Sequence, residues 1–305
     1  MIKNYLYNLF LKRFLRKKLY MIGLSHILLS RKYYSKVSLL SDVDYKIFSQ
    51  NGEDGILDYL LTSLAIENPK FLEIGVGDFT ECNTRFIFDR CSAKGTIIDC
   101  INNFEEKVKK NVELWKGDLK IINKKINSEN ISDLIENSDC FFNLDIFSLD
   151  IDGIDYWVLN ELPVKFSKIA VIEYNANFGP TLEISVPNIK NFNRTEYHYS
   201  NLCFGASLRA IINLMKSKGF KFIGVNKSCI NAFFINEDFI QDLSLETVNE
   251  RNLENFTNSN YRESRSFEGK LTFLSGKNKI NEIRNCDVIN LANSGSEKIK
   301  IKDLL

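Results

Sequence analysis

The stretch NPKFLEIGVGDFTECNTR, residues 68–85, decides the fold class. Its first half, NPKFLEIGV (68–76), predicts a buried strand, and ECNTRFIFDRC (81–91) predicts the helix that follows. Gly75 and Gly77 lie between them, where glycines allow a tight turn and a close approach of the backbone to a ligand. A strand, a tight turn and a helix in this order are typical of one unit of an α/β fold.

The same alternation continues along the chain. Further strands are predicted at 94–100, 118–126, 140–152 and 168–175, and helices at 102–115, 128–137, 155–162 and 205–219. Two adjacent strands, 220–226 and 231–237, follow. We therefore expect an α/β fold with a doubly wound, mostly parallel sheet of seven strands, helices on both faces, and an antiparallel strand at or beside one edge.

Composition and charge narrow the class of protein. The chain has 305 residues, of which 44% are hydrophobic, and this suits one elaborated α/β domain. Residues 1–41 contain nine Lys or Arg and no acid, whereas the rest of the chain holds 31 basic and 39 acidic residues. The acidic balance of the body argues against a nucleic-acid-binding surface.

The seven cysteines are scattered and contain no C-x-x-C pair, and the chain has two histidines. This composition disfavours a zinc site and indicates free thiols in a reducing compartment. We expect a cytoplasmic protein, with the inner face of the membrane as the alternative location.

The chain divides into a basic amphipathic arm (1–41), an α/β domain (42–240) and a C-terminal extension (241–305) of uncertain structure that contains the strand-like SRSFEGKLTFLSG (264–276). One predicted helical face of the arm holds Ile2, Leu6, Leu9, Phe10 and Phe14. Aromatic side chains beside Lys and Arg suit peripheral contact of residues 1–36 with an anionic membrane. Docking on the body or on a partner is the other interpretation. The apolar piece LYMIGLSHILL (19–29) is too short to span a bilayer.

The second strand ends in Asp99, about twenty residues after the glycines, a spacing that suits a carboxylate accepting ribose hydroxyls. Thr80 holds the place of the third glycine of a dinucleotide fingerprint, and no G-K-[ST] follows. The turn therefore predicts a nucleoside ligand without a diphosphate.

SLDIDGIDYWVL (148–159) and the strand after it bring more acids to the same edge. Asp150 and Asp152 end the fourth strand, and Glu173 and Asn175 end the fifth. Such a cluster suits either a divalent metal held by oxygen ligands or a general base with a raised pKa. Asp155 belongs instead to the first turn of the next helix, where its charge opposes the helix dipole favourably.

FSQNGEDGILDYLL (48–61) precedes the first strand. Ser49 or Asn51 is expected to cap a helix here. Gln50, Asn51 and Glu53 add more polar groups than a cap requires, so an entry segment that folds over the ligand is one interpretation and a solvated cap is the other.

These pieces together resemble the FkbM-type branch of class I S-adenosylmethionine-dependent methyltransferases, and most closely a bacterial group often found with surface-polysaccharide genes. The resemblance covers roughly residues 48–237 and rests on FSQNGEDGI (48–56), FLEIGVGDFTECNTR (71–85), GTIIDC (95–100), SLDIDGIDYWVL (148–159), VIEYNANFGP (171–180), YSNLCFGASLRAI (199–211) and INAFFI (230–235). It implies S-adenosylmethionine in the crevice of the sheet, with Glu73, Gly75 and Gly77 at its methionine end and Asp99 on its ribose. Residues Gln50 to Glu53 match the entry motif of the group.

The expected function is O-methylation of a hydroxyl on a surface-polysaccharide sugar or its precursor. Asp150 or Asp152 would be the base or, with Glu173, a magnesium ligand, and Glu173 and Asn175 would orient the acceptor. Two alternatives stay open. The first is a non-catalytic binding or scaffold protein in a membrane-associated glycan assembly, and the second is a nucleotide-sugar-modifying enzyme.

Overall fold

The computed structural model describes residues 11, 15, 18, 20–137, 139–246, 248–292 and 297–305. A central sheet of seven strands organises the chain. Its members are β1 (Lys70–Ile74), β2 (Lys94–Asp99), β3 (Asp118–Asn123), β4 (Ile146–Leu149), β5 (Ile169–Glu173), β7 (Phe220–Val225) and β8 (Asn231–Asn236). A further strand, β6 (Ile184–Ser185), belongs to a second sheet.

The strands of the central sheet lie in the order β3-β2-β1-β4-β5-β8-β7. The first five are parallel, with Leu72 of β1 opposite Thr96 of β2 and Phe147 of β4. Only β8 runs antiparallel to both of its neighbours, beside the edge strand β7. The predicted doubly wound, mostly parallel sheet is confirmed. Its chain order reverses between β1 and β4, and ligands of such sheets bind beyond the strand ends at this point.

Helices cover both faces of the sheet. They are α1 (residues 20–30), α2 (Glu53–Ser63), α3 (Arg85–Cys91), α4 (Phe104–Asn111), α5 (Ile131–Asn137), α6 (Asp155–Glu161), α7 (Arg194–Tyr197), α8 (Leu208–Ser217) and α9 (Lys277–Ile283). Short 3-10 helices lie at Arg31–Lys36, Leu40–Asp42, Leu114–Lys116, Asp139–Phe141, Ala176–Phe178, Glu237–Asp242, Glu254–Phe256 and Ile301–Asp303.

Alternate residues of each strand enter two different cores. Phe71 of β1 packs with α2, α3 and α4, whereas its neighbour Leu72 packs with α5, α6 and α8. Because both faces are covered, the strands are continuous apolar runs rather than alternating ones. The predicted strand 140–152 is shorter than expected, since Asn143 has a φ of +49° and interrupts the extended backbone before β4.

The basic arm docks on the body through residues 20–34. Ile27 and Tyr34 are buried in the same core as α2. The Arg31 guanidinium lies 2.8 Å from the buried carboxylate of Asp58, and the Tyr34 hydroxyl donates to the same carboxylate. The predicted apolar face from Ile2 to Phe14 lies outside the described residues. Within the described ranges, no helix combines the length and the apolar character needed to cross a membrane.

The C-terminal extension folds onto the domain rather than away from it. Its strands β9 (Asp287–Asn290) and β10 (Glu297–Lys300) pair antiparallel, and β9 pairs with β6. Ile283, Val288 and Ile301 are fully buried in the core that contains α8. The strand expected within 264–276 is wrong, because this stretch forms a turn at Gly269 with a single bridge between Arg265 and Leu271.

Candidate functional site

A cavity of about 650 Å³ opens at the carboxyl ends of the parallel strands. Gly75, Gly77, Asp99, Asp150 and Glu173 all line it, although they come from four strand ends spread over a hundred residues of sequence. The parallel arrangement of β1, β2, β4 and β5 therefore brings the candidate residues of the glycine turn and the acidic cluster to one place.

Glycine suits the two positions of the turn for different physical reasons. Gly75 has a φ of +88°, and a Cβ on it would lie 1.5 Å from the carbonyl oxygen of Asp150. It is required by the close approach of the chain after β1 to the chain after β4. Gly77 has a φ of +58° and no atom within 4 Å of the position of a Cβ, so its backbone is open to a ligand.

Asp99 connects the end of β2 to this turn. Its Oδ2 accepts a hydrogen bond of 2.7 Å from the Gly77 N–H. Its Oδ1 accepts from the N–H groups of Cys100 and Ile101. A carboxylate has about four acceptor positions, of which three are used here. The half-buried Asp99 thus orders the turn and keeps one acceptor position for a ligand hydroxyl.

Glu73 lines the cavity, but its carboxylate accepts hydrogen bonds from the protein itself. It accepts hydrogen bonds from the N–H groups of Asn83 (2.8 Å) and Thr84 (2.9 Å) and from the Thr84 hydroxyl. Burial raises the pKa of Glu73, and these donors oppose the rise. Its oxygens therefore satisfy the backbone in front of α3, which explains why that helix begins at Arg85 and not at the predicted residue 81.

The entry segment contributes two of its three predicted residues to the cavity. Gln50 and Asn51 line it, whereas Glu53 is fully buried and lies outside the lining. One Glu53 oxygen accepts from the Asn51 N–H, and the other accepts from the side-chain amides of Asn226 and Asn231, each at 2.7 Å. Glu53 is thus a positioning residue that joins the entry segment to the β7–β8 connection.

The cap of α2 also differs from the expectation. The helix begins after Gly52, whose φ of +99° is a left-handed conformation, so neither Ser49 nor Asn51 is its N-cap. Ser49 still contributes, because its hydroxyl accepts a hydrogen bond from the Asp54 N–H at 3.2 Å.

The acidic cluster forms as predicted at the ends of β4 and β5. Carboxylate oxygens of Asp150, Asp152 and Glu173 lie within 4.8 Å of one another. Asp152 is paired with Arg194, whereas the buried Oε2 of Glu173 accepts no hydrogen bond. Burial and repulsion between the carboxylates raise the pKa values of Asp150 and Glu173 well above the usual carboxyl range. This cluster is suited to holding a proton or a divalent cation.

Asp155 occupies the first turn of α6, as predicted. It is fully buried and accepts hydrogen bonds of 3.0 Å from the N–H groups of Ile151 and Gly153. Burial raises the pKa of Asp155 to about 6. Its role is to close the turn that presents Asp150 and Asp152 to the cavity.

Asn175 lines the cavity but does not offer it a free amide. Its Nδ2 donates to the carbonyl oxygens of Leu202 and Phe204, both at 2.9 Å, and its Oδ1 accepts from the Asn177 N–H. The Asn175 amide is therefore not free to orient an acceptor directly, as the sequence predicted. Asn175 is instead a positioning residue. It holds the loop around Phe204, whose ring lies 4.0 Å from the guanidinium of Arg194.

Arg194, Tyr261 and Lys279 are among the cavity residues that the sequence did not predict. Arg194 begins α7 and reaches back to Asp152. Lys279 of α9 is 5% exposed, and its Nζ donates to the carbonyl oxygens of Ser259 and Tyr261. Burial lowers the pKa of Lys279. No local pattern marks these residues. Tyr261 and Lys279 reach the cavity through the folding of the extension, and Arg194 reaches it through a contact with Asp152, 42 residues earlier in the chain.

No protein-family model matches the chain, and no curated protein matches it either.

Proposed function

We propose that this chain is an S-adenosylmethionine-dependent methyltransferase that acts on a hydroxyl of a surface-polysaccharide sugar or its precursor. The observation that carries the proposal is the juxtaposition in one cavity of an open glycine turn, a carboxylate bonded to that turn, and an acidic pair formed by the half-buried Asp150 and the buried Glu173. The first two features suit a nucleoside, and the third suits removal of a proton from an acceptor.

The residues of the cavity fit the cofactor. Asp99 retains an acceptor position for a ribose hydroxyl, and Gly77 has open space above it. Asp150 and Glu173 give this end of the cavity a negative potential, which favours the positively charged sulfur of the cofactor. When bound, S-adenosylmethionine would supply the electrophilic methyl group.

The protein's contribution to the reaction is alignment and proton transfer. The raised pKa values of Asp150 and Glu173 make the ionised pair a stronger base than an exposed carboxylate, because taking up one proton relieves both the burial of charge and the repulsion between the two groups. In this proposal the pair accepts the proton of the acceptor hydroxyl. Arg194 neutralises Asp152, and Asn175 holds the loop against which Arg194 stacks.

The magnesium alternative rests on the same three carboxylates and stays a prediction. Their oxygens lie within 4.8 Å of one another, a spacing that suits hard-cation coordination. If acceptor binding or methyl transfer depends on magnesium, the three carboxylates are metal ligands. If a chelator leaves methyl transfer unchanged, they act as the general base.

The first experiment is calorimetric titration of the purified chain with S-adenosylmethionine and S-adenosylhomocysteine, with and without magnesium. We expect micromolar binding of both. Absence of binding by a chain with a cooperative thermal transition would contradict the proposal. Binding without transfer to any glycan acceptor would instead favour the scaffold alternative.

Asp99→Ala tests the proposed ribose contact. We expect cofactor affinity to fall by at least about tenfold, since one charge-assisted hydrogen bond contributes roughly 1.5–3 kcal/mol. Asp118→Ala is the matched control, because Asp118 is an exposed aspartate at the opposite end of the neighbouring strand β3. Unchanged affinity in the Asp99 variant would remove the ribose role.

The seven cysteines of the chain are free, which supports a reducing compartment such as the cytoplasm.

A further inference from the structure

Helix α1 packs one side on the body and leaves the opposite side bare. Its inner side is formed by the half-buried Tyr20 and the buried Ile27. Tyr34 of the following 3-10 helix continues this side, and the three residues recur at intervals of seven. On the other side, Ile22 is 66% exposed and Leu29 is 63% exposed, again seven residues apart. The outward side chains that are large and apolar are Leu11, Leu15, Met21, Ile22, Leu28, Leu29 and Tyr33, and together they form what we call the outward face of α1.

The orientation of this face is held by strong contacts on the inner side. Arg31 and Arg90 both pair with the buried carboxylate of Asp58, and the Tyr20 hydroxyl bonds to the Asp89 carbonyl. The outward face therefore cannot be turned inward without breaking a buried ion pair. These exposed side chains contribute nothing to the core, and a concentration of large apolar side chains on one side of a helix indicates an interaction surface.

The charge of this part of the chain identifies the partner. Residues 1–41 carry nine basic side chains and no acidic one. A second copy of the chain would bring two such positive segments together, so self-association through this face is opposed by repulsion. A nucleic acid would satisfy the charge but not the apolar side chains. An anionic lipid surface satisfies both, because apolar residues enter the acyl boundary while Lys and Arg meet the headgroups.

Trp115 lies near the start of α1. It is 80% exposed and is followed by Lys116, whose Nζ lies 5.2 Å from the ring centroid of Tyr20 at the start of α1. Tryptophan is the side chain that membrane interfaces favour, since its ring is apolar and its N–H is polar. An exposed tryptophan near an apolar helix whose flanking segments are basic is a second sign of a lipid surface.

We propose that the outward face of α1, together with Trp115, docks the protein on an anionic membrane surface, with α1 lying in the plane of the headgroups. The inference is independent of the methyltransferase proposal, because none of these residues lines the cavity. Failure of one proposal therefore leaves the other standing.

The test is co-sedimentation of the full chain with vesicles of phosphatidylcholine alone, or with about one third phosphatidylglycerol. We expect binding to the anionic vesicles only, weakening as salt is raised. The double variant Ile22→Glu/Leu29→Glu should lose at least about tenfold in partitioning, since two apolar anchors are replaced by charges. Val164→Glu/Phe267→Glu is the matched control, because it makes the same charge change at exposed apolar positions elsewhere and should keep most of the binding.

Fluorescence separates membrane insertion from simple electrostatic adhesion. The emission of Trp115 should shift to shorter wavelength on anionic vesicles, and Trp115→Phe should abolish the shift. Equal binding by the Ile22/Leu29 variant and the wild type would overturn the proposal, as would absence of binding to anionic vesicles at low salt. A dimer in solution that the same variant dissociates would also overturn it and would assign the face to a second copy.

Discussion

At the scale of single residues, the candidate site contains residues whose surroundings would be unfavourable for most other side chains. Gly75 combines a left-handed backbone with a close approach to Asp150, and Glu173 combines deep burial with an unpartnered oxygen. Both conditions are unfavourable for an ordinary side chain and persist because the strands around them are well packed. Such positions are characteristic of functional sites.

Gly75→Ala should be strongly destabilising. The new Cβ would collide with the Asp150 carbonyl in addition to the strained φ, so we expect a loss of at least about 3 kcal/mol in the free energy of unfolding. Gly269→Ala is the matched control, because its φ of +80° is similar but no atom lies within 4 Å. The control should lose only about 1–2 kcal/mol, which is the backbone contribution. Urea unfolding measures both, and equal losses would show that the contact with Asp150 is unimportant.

Glu173→Gln should stabilise the fold while abolishing methyl transfer. The raised pKa means that the folded protein binds the Glu173 proton more tightly than the unfolded chain. The stabilisation that this bound proton provides is complete below the pKa of Glu173 in the unfolded chain. It is lost as pH rises through the pKa of Glu173 in the folded protein. Above about pH 4.5, the Gln variant should therefore have a higher free energy of unfolding than the wild type. The difference should grow by up to about 1.4 kcal/mol for each pH unit.

Urea unfolding between pH 4 and pH 8 measures this difference. Glu73→Gln is the control, because Glu73 is also buried but its two oxygens accept hydrogen bonds from four donors. That variant should be less stable than the wild type, by about 1–3 kcal/mol at neutral pH, since an amide NH₂ would face a backbone N–H. A Glu173 variant that is less stable at every pH would mean that this carboxylate has an effective partner.

At the scale of elements, the 3-10 helix that follows α1 is attached to the body through one buried carboxylate. Asp58 of α2 is fully buried, and it accepts from Arg31, Arg90 and the Tyr34 hydroxyl. One acidic residue thus connects the 3-10 helix that follows α1 to α2 and α3. Attachment of the arm by a charge cluster, rather than by its apolar residues alone, leaves those residues available to face outward.

Asp58→Ala should detach α1. Two arginines would lose their shared partner in a largely buried place, so the expected loss is about 3–5 kcal/mol. Amide exchange should accelerate in residues 20–34 before it does so in the strands. Asp118→Ala is again the control, since its pair with Lys94 is exposed and should contribute less than about 1 kcal/mol. Protection of α1 that is unchanged in the Asp58 variant would contradict this account.

At the scale of the whole molecule, the C-terminal extension is part of the domain. β9 pairs with β6, and Lys279 of α9 forms part of the cavity wall. The extension therefore completes both the core and the site. One part of the cavity wall thus depends on a segment that the resemblance to methyltransferases does not cover.

Val288→Ala tests whether the C-terminal extension unfolds together with the rest of the domain. Val288 is fully buried in β9, so truncation should lower the free energy of unfolding by about 2 kcal/mol and shift a single thermal transition. Val164→Ala, at a position 69% exposed, should change it by less than about 0.5 kcal/mol. A separate early transition in the Val288 variant would instead show that the extension unfolds alone.

The sequence by itself determined the sheet, the glycine turn and the edge at which Asp99, Asp150 and Glu173 meet. These features follow from local causes: apolar runs of strand length, glycines between a strand and a helix, and the rule that parallel strands end on one side.

Only the tertiary structure decided which of those polar groups are free. Glu73 and Glu53 were expected at the ligand, but both are satisfied by amides of the chain itself. Arg194 and Lys279 joined the site through contacts across 42 and about 20 residues. The second sheet, β6-β9-β10, likewise depends on pairing between distant short strands. Hydrogen-bond partners are chosen by three-dimensional proximity, which periodicity along a sequence does not encode.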